Sequence, residues 1–147
     1  MKILIGVLLL FSFLQTTVLP INLVLLVLVL RSFIVYEPAN FYLGFGFGLL
    51  TSHLNTTPLG LQGLIFLAAV VVGRGISRLP ISNNILIVVP LVFVVSLLDS
   101  GVNALSTGSS LQVFPVFLQT ILAIPVYLVL RFWEERFVVR QELKLKI

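Results

Sequence analysis

Six apolar blocks, cut apart by proline, glycine and small polar clusters, run through nearly the whole of this 147-residue chain. Few folds accept that pattern. A hydrocarbon core about 30 Å thick takes roughly 20 apolar residues per helix, and each block is near that length. The approximate spans are 3–19, 21–36, 39–54, 58–74, 83–99 and 111–132. The segments between them reach about a dozen residues at most, far below the ~50 an independent domain needs. Composition agrees, with 59% hydrophobic and 10% charged residues, where soluble chains carry about 25% charged. The expected fold class is an all-α integral membrane protein, a bundle of six transmembrane helices. Residues 133–147 form an amphipathic, basic tail.

Punctuation sets the expected helix ends. Met1-Lys2 followed by Ile3–Phe13 has the look of a signal peptide, but no small-x-small cleavage site follows, so a retained first helix is expected. Pro20 closes that block, and Glu37-Pro38 breaks the chain before the third. Pro58 suits the first turn of a fourth helix. Pro90 falls inside the fifth block as a kink, and Asp99–Ser110 reads as a Gly/Ser/Asn-rich loop. Gly44, Gly46 and Gly48 make the third block the weakest helix former.

The charges then fix an orientation. With the N-terminus inside, Lys2, Arg31, Arg74, Arg78, Arg131, Arg136, Arg140, Lys144 and Lys146 all become cytoplasmic, and these are all nine basic residues. The turns at 20–22, 52–57 and 99–110 hold none. Such a bias follows the positive-inside rule and predicts both termini in the cytoplasm. The net charge of +4 thus marks orientation in a multi-pass membrane protein rather than affinity for nucleic acid.

Most chemistry is hard to place on these residues. Without cysteine there is no thiolate nucleophile or thiolate metal site, and one histidine, His53, cannot build a histidine cluster. Glu37 and Asp99, the only acids before the tail, fall on opposite sides of the membrane and cannot share a proton or a divalent ion. Ser52 and His53 are adjacent, so on a helix they point about 100° apart, and no G-x-S-x-G elbow is present. A non-enzymatic protein without cofactor or metal is expected.

Gln15, Thr16, Thr17, Asn22, His53, Asn55, Gln62, Asp99, Asn103, Gln112 and Gln119 all fall in outer turns or outer helix halves. An amide in hydrocarbon must find a partner. Three uses compete: hydrogen bonds within the bundle, a docking surface for another protein, and a small-molecule pocket open to the outside. Gly44 and Gly48 share one helix face, which suits close packing within the bundle or against a partner's helix. Arg74, Arg78, Arg136 and Arg140 are candidates for cytoplasmic contacts. In the tail, Phe132, Trp133 and Phe137 are expected to face lipid, Arg136 and Arg140 water, and Glu142 and Lys146 to pair.

The stretch Leu14-Gln15-Thr16-Thr17-Val18-Leu19-Pro20, leading into Ile21–Leu30, resembles the opening of the rod shape-determining protein MreD family. So does GFGFGLLTSHLNTTPLGLQGL, from Gly44 to Leu64. The resemblance extends to about Arg78. Two positions depart from it: the acid expected near Thr51–Ser52 is absent, and Asn22 stands where aspartate is common. The resemblance implies a non-enzymatic scaffold of the cell-elongation machinery in the bacterial inner membrane. Its implied partner is an MreC-like single-span protein. Further implied contacts are RodA, a class B penicillin-binding protein that makes peptidoglycan, and MreB, besides membrane lipids. Gln15, Thr16, Asn22, Gly44, Gly48, Gln62 and Gln119 are then the candidate partner interface. The alternative is the substrate-binding subunit of an energy-coupling-factor vitamin transporter, also a small six-helix protein. The first block, which contains no alanine, lacks the Ala-x-x-x-Ala docking surface of such subunits.

Overall fold

A computed structural model describes residues 2–35, 37–80 and 84–138. Among these there are six α-helices and no strand: α1 (Lys2–Thr17), α2 (Leu23–Ile34), α3 (Ala39–Leu54), α4 (Leu61–Ser77), α5 (Val88–Thr107) and α6 (Val113–Trp133). A single 3-10 turn, Ile85–Ile87, leads into α5, and a π-helical turn, Glu134–Val138, extends α6. Ile85–Thr107 and Val113–Arg136 are long and apolar enough to cross a membrane.

The shortest helix is the central one. Leu23–Leu30 is apolar on every face, and such a helix is stable only when surrounded. Every residue of α2 from Val24 to Phe33 is buried, and α2 touches all five other helices. Its 12 residues span about 18 Å. The other helices pack against it and keep large apolar side chains on their outer faces. Leu10 and Phe13 of α1, Val94 and Leu98 of α5, and Phe114, Phe117, Ile121 and Val129 of α6 are all exposed. Polar groups instead gather inside, at the two ends of α2.

Small residues set the closest approaches. A Cβ on Gly48 would lie 2.5 Å from the Gly63 Cα and 2.9 Å from the Gln62 carbonyl oxygen, so α3 and α4 meet backbone to backbone. A Cβ on Gly73 would lie 2.5 Å from Ser32 Oγ, which locks α4 onto α2.

Several helix ends differ from the sequence reading. α3 covers 39–54 as expected. α4 begins at Leu61, because Pro58 lies in the preceding turn and Gly60, at φ +93°, enters the helix from the left-handed region. α5 runs through Asp99 to Thr107 and stops at Gly108, at φ +65°, so most of the expected 99–110 loop is helical. Ser, Asn and Asp are poor helix formers in isolation, but here Asn103 donates to Asp99, Ser106 and Thr107 to the Asn103 carbonyl, and Ser100 to the Gln112 carbonyl before α6. Pro90 sits in the first turn of α5, where its missing N–H has no acceptor to lose, and it produces no mid-helix break. Pro125 is instead the proline inside a helix, on α6.

Candidate functional site

The chain alternates direction through short connectors, so the entries of α2, α4 and α6 meet the exits of α1, α3 and α5 at one end. Asn22 starts the assembly there. It is the N-cap of α2, its Oδ1 accepting from the Leu25 N–H at 3.2 Å, while its Nδ2 donates to Asp99 Oδ2 at 3.1 Å. Gln62 Nε2, in the first turn of α4, donates to Asp99 Oδ1 at 2.7 Å. Asn103, one turn further along α5, donates to the same oxygen at 3.0 Å. Gln119 of α6 donates to the Asn22 carbonyl at 3.2 Å, and Gln15 of α1 accepts from the Val24 N–H at 3.2 Å. One carboxylate therefore gathers α2, α4 and α5, and two glutamines add α1 and α6.

These residues line a cavity of about 320 Å³ that opens at this end of the bundle. Among the described residues, Asp99 is the only charged side chain in its wall, and none in the wall is aromatic. Ser96 and Asn103 also line it, and Ser96 Oγ and Asn103 Oδ1 are buried without a hydrogen-bond partner.

The opposite end of α2 carries a second, ionic cluster. Arg31 is only 3% exposed, and its guanidinium donates to Glu134 Oε1 at 3.1 Å, to Glu37 Oε2 and to Asn40 Oδ1. Asn40 in turn donates to the Val35 carbonyl at 3.0 Å. This ties the exit of α2 to the entry of α3 and the exit of α6. Arg74, at the exit of α4, lies over the Phe41 ring, 5.3 Å from its centre. The two clusters are nine residues apart along α2, from Asn22 to Arg31, or about 14 Å of helix.

Of the residues singled out in the sequence, Gln15, Asn22, Gln62 and Gln119 meet around the cavity. Thr16 does not: its hydroxyl donates back to the Phe13 carbonyl at 2.8 Å within α1. Gly44 and Gly48 face α4 of the same chain, so the packing use of that face is realised and it is not open to a partner helix. Arg78 caps the exit of α4, its N–H bonded to the Gly75 and Ile76 carbonyls. Arg136 stacks over the Phe132 ring at 4.5 Å, which puts the two on one face instead of the opposite faces expected. That follows from their i,i+4 spacing. Arg140, and the expected Glu142–Lys146 pair, lie outside the described residues.

Sequence reasoning places Asp99 and Asn103 among the outer polar residues, but in a loop instead of on a helix, and it misses Arg31 and Ser96 as participants. The Asp99-x-x-x-Asn103 spacing, which places both on one helix face, was the available signal. Arg31 was read only as an orientation marker, although its position at the end of an all-apolar block implied burial and hence a carboxylate partner. Ser96 carried no signal in an apolar run. Ser52 is fully buried while His53 is exposed, so this adjacent pair faces different environments. Comparison with protein-family models, curated proteins and solved structures returns no match.

Proposed function

We propose that the chain is a six-span inner-membrane protein with both termini in the cytoplasm. In this reading it is a non-enzymatic scaffold of the bacterial elongation machinery, binding an MreC-like single-span partner. The observation that carries the membrane reading is the inversion of polarity, with large apolar side chains outside and amides and ions collected at the ends of a buried central helix. Lys2, Arg31, Arg74, Arg78, Arg131 and Arg136 share the Arg31 end, in keeping with a cytoplasmic face. The scaffold reading rests on the resemblance of 14–30 and 44–64 to the MreD family. With Gly44 and Gly48 occupied internally, the exposed apolar faces of helices such as α1, α5 and α6 are the surfaces open to a partner's helix.

The cavity favours a second reading, the substrate-binding subunit of a vitamin transporter. The lack of any ring in its wall argues against a flat heteroaromatic substrate. Affinity purification of the tagged protein from its native membrane in mild detergent, with mass spectrometry, separates the two. Recovery of an MreC-like protein with RodA or a transpeptidase is expected. Paired ATPases with a membrane coupling protein would replace the scaffold reading by the second.

A further inference from the structure

We infer that the cavity around Asp99 is a binding site for a hydrophilic primary amine, its ammonium group held by the Asp99 carboxylate. The inference does not depend on which proteins the chain assembles with.

A carboxylate offers about four lone-pair sites. Gln62 and Asn103 fill those of Oδ1, and Asn22 takes one of the two at Oδ2. The remaining site belongs to a buried group, 8% exposed, in a cavity to whose wall the described residues supply no cation. A buried carboxylate keeps its charge when a cation pairs with it, and amide donors orient it without neutralising it. Arg31 cannot serve, being engaged at the far end of α2.

Two further groups on the same stripe of α5 are unfilled: Ser96 Oγ, one turn before Asp99, and Asn103 Oδ1, one turn after. Ser96 is 3% exposed and borders the cavity, its hydroxyl buried and without a hydrogen-bond partner. Ser12, Thr51 and Thr120 donate to the preceding turn, while Ser52 Oγ, which does not line the cavity, is the other serine hydroxyl buried without a partner among the described residues. From Ser96 to Asn103 the stripe extends about 10 Å. A ligand with its ammonium at Asp99 fills the open site on the carboxylate, and N–H or O–H donors on either side would reach Ser96 Oγ and Asn103 Oδ1 where the wall covering them gives way.

Size and lining narrow the class. A volume of about 320 Å³ is at the lower end of small-molecule pockets. That admits an amino alcohol or amino sugar. A quaternary ammonium has no N–H for Asp99, and no aromatic cage is present to hold it. The same ammonium chemistry is offered by a free solute and by an ethanolamine lipid headgroup.

The test uses the full-length protein in phosphatidylcholine nanodiscs, titrated calorimetrically with glucosamine and with ethanolamine, with glucose and choline as controls. Saturable binding of an amine is expected, with the controls weaker by about ten-fold or more, the scale of a charge-assisted hydrogen bond. Asp99→Asn should lose binding by a similar factor. Ser96→Ala, which leaves the Asp99 hub intact, should weaken glucosamine binding by a few-fold. If Asp99→Asn does not fold, the amine-against-control comparison and Ser96→Ala decide. Phosphatidylethanolamine nanodiscs that abolish amine binding would identify the headgroup as the source, and undiminished binding would identify a free solute. Glucose binding as tightly as glucosamine, or no saturable amine binding, would overturn the assignment and leave a water-filled cup.

Discussion

Asn22 Nδ2 lies 3.1 Å from Asp99 Oδ2, joining the entry of α2 to α5 across 77 residues of sequence. The same side chain caps α2 through its other end, so one residue both starts the central helix and fastens it. An aspartate here would face a second carboxylate at hydrogen-bond distance, and the two could not both ionise without cost. Asparagine at 22 and aspartate at 99 are thus chemically complementary.

Asn22→Ala removes a cap and a donor to a buried carboxylate together, and is expected to destabilise by about 2 kcal/mol or more. Asn22→Ser keeps a capping hydroxyl but falls short of Asp99, and should lie between the two. Thermal unfolding in detergent reads this order. Identical melting of all three proteins would mean that Asn22 does not fasten α2.

At the α3–α4 contact, Gly48→Ala forces a methyl to 2.5 Å from the Gly63 Cα, with an expected loss of about 1–3 kcal/mol as the helices separate. Gly46 of the same helix faces open space, so Gly46→Ala should be neutral or stabilise by up to about 1 kcal/mol through helix propensity. The contrast between neighbouring glycines, followed by the same melts, tests the packing.

Removing Arg31 leaves Glu134, Glu37 and Asn40 without their shared donor. Arg31→Leu is expected to cost about 3–5 kcal/mol, the scale of a broken buried ion pair. Arg131, whose partner Glu135 is exposed beside it, serves as the control, and Arg131→Ala should leave the melt unchanged. An equal effect of the two substitutions would contradict the burial of Arg31.

The chain has no cysteine, so each introduced one reports alone. Under the proposed topology, Thr107→Cys should react with an impermeant maleimide in intact cells. Arg78→Cys should react only after permeabilisation. Labelling of both from outside would overturn the six-span arrangement.

Much of the fold was legible because it is local. Six apolar blocks fix six helices, and short connectors force neighbouring helices to run antiparallel. That parity alone sends Asn22, Gln62 and Gln119 to one end and Arg31 and Arg74 to the other. What it left open is who packs against whom. In a chain whose surface is as apolar as its interior, periodicity does not separate a face turned to lipid from one turned to protein. Gly44 and Gly48 illustrate this: the sequence allowed a partner's helix or α4, and the backbone approach to Gly63 selected α4. Block two carried one readable clue, an apolar run with no outer face, which marks it as central.

By itself, then, the sequence determined the helices, their alternation and the sorting of charge to one end, since hydropathy and turn chemistry act within a few residues. Only the tertiary structure decided that α2 is the axis, that Asp99 is a hub and not a loop residue, and that Arg31 is a buried tie. The reason is physical: a polar group out of water takes its meaning from the partner it meets. Those partners lie 37 residues from Asp99 at Gln62, 77 at Asn22, and 103 from Arg31 at Glu134.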